Sequence, residues 1–468
     1  MVSFKRATQT IVAVAVLGGI LATDHAASAQ EPTKPAASQR EEQLREQLKG
    51  ILQELEDLQK TREGTLPLGE QPKVVTEKVA TQEPEAIPEY ELSDLSIVSK
   101  RFQKRPEGVS LSATVPAETD SQPTRTMKES MESLPGVVLR QANGPRDFSI
   151  TIRGQGVKTA FATRDIKIYE DGFIQTQSDG LSRLDMQDPW FMRSVEVTRG
   201  ASSSLYDNYA LGGMVQFRTR RGSDINGAET FLSGGSYGYQ KYGLAVGQET
   251  DKIDVAMFAS QVMEDGFIQN SNYNTQTLNF NVRFKADDKQ NFYFKAISNW
   301  LNTKVPTRLT QAQFIANDRQ AGGAQTTCTP GTYNAGCANA LLLNQGRVDR
   351  RTILGGMYER QINANTVLTM EADYDVKDIQ QTFSQITENT NPNYKHYTDL
   401  RHEGRLGEMP LKSYVGFFVN EMDQKANQFQ NLADGYGTKG TLIQNARGSI
   451  FNIGGRFREE LEFVQPGY

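Results

Sequence analysis

The sequence predicts a mainly β protein in which a small mixed αβ domain precedes an antiparallel transmembrane β-barrel. Between residues 134 and 221, short apolar strands each end near a glycine, whereas after Gly222 apolar and polar residues alternate with a period of two. Long strands that alternate apolar with charged residues fit a barrel with one face toward lipid and one toward water. We therefore assign residues 102–222 to the small domain and residues 223–468 to barrel strands.

The composition argues against several classes of function. The formal net charge is -5 and no basic stripe is present, so we expect no nucleic-acid partner. Residues Gly154-Gln155-Gly156 lack the third glycine of a dinucleotide-binding loop. His396 and His402 have no evident third ligand for a metal ion. We expect a protein that is not an enzyme and that has no cofactor and no catalytic or metal site.

The first 29 residues form an export signal. Lys5 and Arg6 provide its positive region, residues 11–22 its apolar region, and Ala27-Ser28-Ala29 a cleavage site of small residues. The apolar run is too short to cross a bilayer as a stable helix. We expect residues 1–29 to be removed on export.

A helical arm and a linker follow the signal. Residues 30–60 carry apolar side chains at alternating spacings of four and three, which is a heptad pattern. The pattern is compatible both with a short coiled coil and with a single amphipathic helix. Residues 61–92 are rich in Pro, Glu, Thr and Lys and predict a flexible linker. The heptad positions are Leu44, Leu48, Ile51, Leu55 and Leu58.

The small domain contains one short helix and five short strands. The helix is predicted over residues 127–134 and ends at Pro135-Gly136. Glycines follow the strands, where the backbone must turn tightly. The strands are predicted at residues 137–140, 148–153, 166–169, 195–198 and 214–219.

An ordered series of motifs in this domain resembles the plug domain of TonB-dependent outer-membrane receptors, the gated barrels that import scarce nutrients such as ferric siderophores. One departure is Asp207-Asn208, where the family usually has a glycine. Both residues tolerate left-handed backbone conformations, so we expect the turn to be kept. The motifs are Leu134-Pro135-Gly136-Val137, the Ser149 to Gly154 run, Ile168-Tyr169-Glu170-Asp171-Gly172, the Ser194 to Tyr206 run and the Ala210 to Val215 run.

The resemblance implies active import of a scarce nutrient, most often a ferric siderophore or a similar metal chelate, across the outer membrane of a Gram-negative cell. It implies three partners: a TonB-type energy-transducing protein of the inner membrane, outer-membrane lipid and an extracellular small-molecule ligand. Two alternatives remain open. The chain could be a ligand-sensing, signal-transducing receptor, or a surface-binding protein that transports nothing.

The family carries a TonB box just before the plug, and residues 93–101 occupy that place here. An extended segment whose side chains alternate can pair as an added strand with a partner protein. A competing segment is Val74-Val75-Thr76-Glu77. The favoured box consists of Leu95, Ser96, Ile97, Val98 and Ser99.

The resemblance also implies roles for residues of the plug. Arg153 and Arg199 match arginines that latch the plug to glutamates of the barrel wall, and those glutamates usually lie in the later barrel strands. Charge-assisted bonds of this kind are directional. The outward plug loops carry basic, aromatic and amide side chains that suit a partly apolar anionic ligand. These residues are Lys158, Phe161, Arg164, Gln175, Gln177 and Arg183.

The barrel region predicts about ten strands, whereas family barrels have twenty-two, so we expect a chain that is truncated at its C-terminal end. Short turns and long loops alternate along it, which is the rule for outer-membrane barrels. The longest loop contains Cys328 and Cys337, which we expect to form a disulfide bond in an exported protein. Long loops are predicted at residues 264–274, 304–346, 382–393 and 424–448.

Overall fold

The computed structural model describes residues 110–114, 125–141, 148–156, 162–200, 206, 208–323 and 328–461. They all belong to one compact unit, in which a small plug domain packs on the inner face of a ten-stranded antiparallel sheet. The predicted export signal, helical arm, linker and TonB box lie outside the described residues. No helix in the described part of the chain is long and apolar enough to cross a membrane.

The plug domain contains a five-stranded mixed sheet and a separate hairpin. The sheet has the order β1-β6-β7-β4-β5, with β4 and β7 parallel and the other neighbours antiparallel. Strands β2 and β3 form the hairpin. The strands are β1 (Ser110–Thr114), β2 (Val137–Gln141), β3 (Phe148–Ile152), β4 (Ile166–Glu170), β5 (Phe173–Ile174), β6 (Met192–Arg199) and β7 (Gly213–Thr219).

The five predicted plug strands are all present, and the helix is shorter than predicted. Helix α1 (Met127–Met131) begins at Thr126, whose side chain forms a capping box with Glu129. It ends three residues before Leu134 because a proline disfavours the helical conformation of the residue before it. Strands β1 and β5 were not predicted, since each depends on pairing with a neighbouring strand, β6 and β4 respectively.

The plug has a hydrophobic core of its own. Met127 and Met131 of α1 pack with apolar side chains of β2, β3, β4, β6 and β7, and Ile150 and Ile152 are completely buried. A continuous core of this kind is the main source of stability of a small domain. The plug can therefore hold its shape as a unit against the larger sheet.

The sheet of the second part is an unbroken meander of ten strands, as predicted, and consecutive strands pair from β8 to β17. Within the described residues it does not close on itself. Two further short helices are α2 (Gly222–Ile225) and α3 (Gln311–Ala316). The strands are β8 (Gly227–Gly234), β9 (Gln240–Glu249), β10 (Ile253–Glu264), β11 (Tyr273–Asp287), β12 (Gln290–Lys304), β13 (Gly346–Asn363), β14 (Thr366–Thr382), β15 (Gln385–Leu406), β16 (Met409–Asn431) and β17 (Lys439–Leu461).

Side chains alternate between the two faces of this sheet, as the period of two predicted. In β14, Glu371, Asp373 and Asp375 face the plug and are at most 5% exposed, whereas Met370 on the other face is 39% exposed. The outer face carries apolar and aromatic side chains, including Phe292 and Tyr358, whose ring centres lie 4.9 Å apart. We call the plug-facing side the inner wall.

All strand connections fall at two ends of the sheet, which we call the turn end and the loop end. The turn end has the short connections 250–252, 288–289, 364–365 and 407–408, close to the predicted turns. Two predicted long loops are wrong: residues 382–393 and 424–448 mostly continue β14 to β17, leaving only 383–384 and 432–438 as connections. Their polar residues resemble loop sequence because apolar–polar alternation is lost where both faces of a strand meet water.

The longest connection, residues 305–345, is braced by covalent and polar bonds. Cys328 and Cys337 form a disulfide bond, and Cys337 packs with Leu343 and Ala433. The amide of Asn431, which is fully buried, donates to the carbonyl oxygens of Leu343 (2.8 Å) and Phe383 (2.7 Å). Three connections of the loop end are thereby joined into one block.

The junction between plug and sheet is closed by a glycine. Gly222 donates its N–H to a carboxylate oxygen of Asp254 at 2.8 Å. A Cβ atom at this position would lie 2.5 Å from the carbonyl oxygen of Val255 and 2.6 Å from the Asp254 carboxylate. No side chain fits there without moving the backbone of β10.

We expect Gly222→Ala to lower the free energy of unfolding by about 1–3 kcal/mol, because the added methyl group overpacks the junction. Urea unfolding of the detergent-solubilised chain would measure this change. Gly448→Ala is the matched control, since a Cβ atom there has nothing within 4 Å. Equal effects of the two substitutions would contradict the packing argument.

Candidate functional site: the interface between plug and sheet

The plug contacts the inner wall through a segment that runs from β4 to the start of β6. Its polar side chains and carbonyl groups contact inward-facing side chains of seven different strands. Most of these groups are buried, so their charges and hydrogen bonds must be matched locally.

Lys295 of β12 is the cation at the centre of the interface. Its ammonium nitrogen lies 2.7 Å from a carboxylate oxygen of Glu170 and 2.5 Å from one of Asp171. Lys295 and Glu170 are 1% and 0% exposed, and Asn279 also donates to Glu170, at 2.5 Å. A lysine shared by two carboxylates holds the end of β4 against strands β11 and β12.

Asp188 forms the second contact, near the beginning of β6. Its two carboxylate oxygens accept from the Lys241 ammonium at 2.5 Å and from the Ser260 hydroxyl at 3.0 Å. The Lys241 ammonium also lies 5.3 Å from the centre of the Phe231 ring, on which Trp190 stacks. Strands β8, β9 and β10 are fixed to the plug at this point.

A cluster of two arginines and two aspartates forms the third contact. Arg183 and Asp185 belong to the plug, whereas Arg347 and Asp349 belong to β13. The Asp349 carboxylate lies 3.2 Å from the Arg183 guanidinium and 2.8 Å from that of Arg347. All four side chains are at most 7% exposed, and each charge faces an opposite one from the other domain.

The fourth contact uses carbonyl groups of the plug. Arg351 bonds to both oxygens of Asp375, at 2.9 and 2.7 Å, and donates to the carbonyl oxygen of Gln175 at 2.5 Å. Lys395 donates to the carbonyl oxygen of Ile174 at 2.8 Å and lies 3.3 Å from Asp375. Bidentate arginine–carboxylate bonds are geometrically specific, so this contact sets the position of β5.

The last contact contains only neutral groups. The N–H of Ser178 donates to the side-chain oxygen of Asn393 at 3.2 Å, and the Asn452 amide donates to the Ser178 carbonyl at 2.8 Å. Strands β15 and β17 are therefore joined to the plug without an ion pair. The interface changes in character from charged to neutral along the sheet.

The structure places the predicted ligand-facing residues in two environments. Gln175, Gln177 and Arg183 are at most 4% exposed and lie in the interface just described. Arg164 has a side chain that is 41% exposed and donates to the carbonyl oxygen of Asp179 at 2.6 Å. The two remaining residues, Lys158 and Phe161, lie outside the described residues.

The predicted latch arginines are close to each other. A Cβ atom on Gly136 would lie 3.7 Å from Arg153 and 3.9 Å from Arg199, so both side chains border the same turn. Arg153 is exposed and has a left-handed backbone conformation with φ of 47°. The latch itself stays a prediction, because its glutamate partners were expected in later strands of the barrel.

The described residues contain no group of three or more His, Cys, Asp or Glu side chains arranged to hold a metal ion. His396 faces outward on β15 and shares a hydrogen bond with Thr398 at 3.0 Å. His402 shares one with Thr366 at 2.9 Å. Both imidazoles thus bond to threonine hydroxyls.

Sequence reasoning missed the residues that make the interface. The signal that could have found them is that charged residues occupy every second position of some strands, on the inner face. Such positions are polar only where water or a polar partner faces them. These residues are Lys241, Lys295, Arg347, Asp349, Arg351, Asp375 and Lys395.

A small mixed domain seated on the inner wall of an antiparallel meander is an arrangement that solved structures share. The sequence profile described as "TonB-dependent Receptor Plug Domain" matches residues 104–214. The chain therefore carries the plug domain of the TonB-dependent receptors, followed by strands arranged as in the walls of their barrels. Members of this family are outer-membrane receptors and transporters and not enzymes.

Two curated relatives are similar to part of the chain. A hemin receptor of Yersinia enterocolitica is 25% identical over 181 residues, which are 38% of this chain and 25% of the relative. The vitamin B12 transporter BtuB of Vibrio vulnificus (strain YJ016) is 24% identical over 220 residues, 44% of this chain and 35% of the relative. The matches thus cover about a quarter to a third of these relatives.

Solved structures share the fold at low sequence identity. The unliganded ferric citrate transporter FecA superposes with a TM-score of 0.61 at 14% identity, covering 76% of this chain and 54% of FecA. The open form of the ferric-catecholate import receptor Fiu from E. coli K12 gives 0.56 at 15% identity, covering 76% and 57%. The chain therefore spans about half the length of these proteins.

We expect the interface to persist in weak acid and to loosen only in strong acid. Burial raises the pKa of Asp185, but the Arg183 and Arg347 guanidiniums outweigh it and hold that pKa below its ordinary value of 3.8. The bound carboxylate thus stabilises the folded state above pH 3.8, and this stabilisation is lost as the pH falls through the lower folded value. Limited proteolysis of the plug between pH 7 and pH 3 would locate the change. Loosening of the plug between pH 7 and pH 5 would contradict the lowered pKa of Asp185.

We expect Lys295→Met to cost about 3–5 kcal/mol in the free energy of unfolding, because it leaves the buried carboxylate of Glu170 without its cation. Urea unfolding in detergent would measure the loss. Lys285→Met is the control: Lys285 forms an exposed ion pair with Asp288, and such pairs contribute at most about 1 kcal/mol. A smaller loss at Lys295 than at Lys285 would show that the interface does not depend on this cation.

Proposed function

We propose that this chain forms the plug and part of the barrel wall of a receptor that actively imports a scarce nutrient across the outer membrane. The observation that carries this proposal is a plug domain fixed to the inner wall of the sheet by buried ion pairs. A plug held in this way blocks the lumen, so passage requires a mechanical input that displaces part of it. Passive diffusion would need no such element.

We propose further that residues 95–99 are the segment through which this input arrives. A TonB-type protein of the inner membrane would pair with them as an added strand and pull on the plug. With the turn end in the periplasm, the loop end and the disulfide-braced connection 305–345 face the outside. Short periplasmic turns and longer outer loops are the usual arrangement of outer-membrane barrels.

The cargo is a nutrient taken up as an intact small molecule. The relatives named above are a hemin receptor and a vitamin B12 transporter, and the similar structures are importers of ferric chelates. A ferric siderophore is the expectation from the family resemblance. The side chains of the inner wall favour a different class of cargo, an uncharged molecule.

Two rival functions predict different behaviour of the same segment. A signal-transducing receptor would need a ligand-dependent output to transcription besides uptake. A surface-binding protein would retain ligand at the cell surface and import none. Energised uptake separates the importer from the second of these.

We expect deletion of residues 95–99 to abolish energised uptake while cells still bind the ligand. The measurement is accumulation of labelled cyanocobalamin, hemin and ferric citrate, with and without an uncoupler of the proton gradient. Deletion of residues 74–77, the competing segment, is the matched control and should leave uptake unchanged. Uptake that survives the first deletion and resists the uncoupler would overturn the import mechanism.

A further inference from the structure

The neutral end of the interface has polar atoms that lack hydrogen-bond partners. The side-chain oxygens of Asn391 and Asn420 are buried, unpartnered atoms of residues that are 9% and 3% exposed. On the plug, both amide atoms of Gln175, the amide nitrogen of Gln177 and the hydroxyl of Ser178 also have none. We call these five residues, together with Asn393 and Asn452, the amide seam.

The inner wall continues the same chemistry from the seam toward the loop end. Asn389, which pairs in register with Ala426 of β16, has another buried and unpartnered amide oxygen. Beyond it, Gln428 of β16 pairs in register with Gln444 of β17. In the described part of β15–β17, no inner position between the seam and residue 428 carries a charge. These inner positions are Asn389, Asn391, Gln424, Ala426, Gln428, Gln444, Ala446, Gly448 and Ile450.

The cations closest to the seam are buried, and two of them are paired with carboxylates. Lys395 lies 3.3 Å from Asp375, and the Arg456 guanidinium lies 2.5 Å from Asp399. Lys377, which is 2% exposed, lies beside the cluster of Arg183, Asp185, Arg347 and Asp349 and interacts with both of its carboxylates. The wall near the seam therefore offers no exposed cation to an anionic molecule.

We propose that the cargo of this receptor is an uncharged molecule rich in hydroxyl or amide groups, and that it is bound and passed along the amide seam. Amide oxygens accept hydrogen bonds from O–H and N–H groups, and amide nitrogens donate to carbonyl and hydroxyl oxygens. Carboxylate and catecholate ligands are instead held by charge-assisted bonds from arginine or lysine. The inference rests on the proposed import function and names its substrate class.

The same asymmetry indicates which side of the plug opens. The described hydrogen bonds of Ser178 to the seam are neutral, and each neutral bond contributes about 1 kcal/mol net. Breaking a buried ion pair elsewhere in the interface exposes uncompensated charges and costs several times more. A pull on the plug therefore breaks the bonds of Ser178 to Asn393 and Asn452 before it breaks the buried ion pairs, which opens the seam beside Ser178 for passage of a cargo that is already bound.

Equilibrium binding tests the substrate class without any energy source. Outer-membrane vesicles that carry the full chain are titrated with cyanocobalamin and with maltoheptaose, two neutral probes, and with hemin and ferric citrate, two anionic ones. We expect saturable binding of one neutral probe, and which one binds distinguishes a corrinoid from an oligosaccharide. Binding of neither neutral probe, or equally tight binding of an anionic probe, would overturn the proposal.

Two variants link the binding to the seam. Asn389→Leu, at the partly exposed inner position next to the seam, is expected to weaken binding of the neutral probe about tenfold, the effect of losing one or two hydrogen bonds. Thr390→Leu, the outward-facing neighbour on the same strand, is the matched control and should leave the affinity unchanged. Equal affinities of the two variants would place the binding site elsewhere. Because binding needs no energy, its failure is distinguishable from a failure of the import mechanism, which the deletion of residues 95–99 reports.

Discussion

The pairing of Lys295 with Glu170 and Asp171 is the interaction on which the arrangement of plug and sheet depends. A fully buried carboxylate such as Glu170 is tolerated only when a cation and hydrogen-bond donors meet it. Lys295 can do so only if β12 keeps its register, because a slip by one residue would turn this lysine to the outer face. The ion pair and the alternation of the strands therefore determine each other.

The same reasoning extends along the wall. Asp188 needs Lys241, Asp185 needs Arg347, and each of these partners sits at an inner position of its strand. The seating of the plug is thus specified strand by strand from β9 to β14. Apart from the Lys395 bond to Ile174, the described hydrogen bonds of the plug to strands beyond β14 come from neutral amides, which accept several geometries where ion pairs accept few.

Much of the fold could be predicted from the sequence, because period-two alternation and glycine-ended strands are local signals. The ten strands, the plug strands and the turn-end connections follow from them. The full length of β15 to β17 could not be predicted, since apolar and polar residues do not alternate in strands whose two faces both meet water. The short pairing partners β1 and β5 also could not be predicted, as their existence depends on β6 and β4 rather than on their own residues.

The functional residues were harder to predict than the fold. Gln175 and Arg183 were selected for their chemistry in a loop between strands, and that chemistry serves equally for a ligand or for a wall of opposite charge. Whether a ligand or the wall contacts these residues depends on pairs that are more than 160 residues apart in the chain, such as Arg183 with Asp349. No local pattern contains that information, although inward charges such as Lys295 indicate that something polar fills the lumen.

The strands are longer at one side of the sheet than at the other, from 8 residues in β8 to 23 in β17. At about 3.3 Å per residue, that is a rise from roughly 26 Å to roughly 76 Å of strand. The rim of the wall is consequently slanted, with its high side at β15–β17 and its low side at β8–β10. A molecule that diffuses in from the loop end therefore contacts the high side of the wall first. That side carries the amide seam.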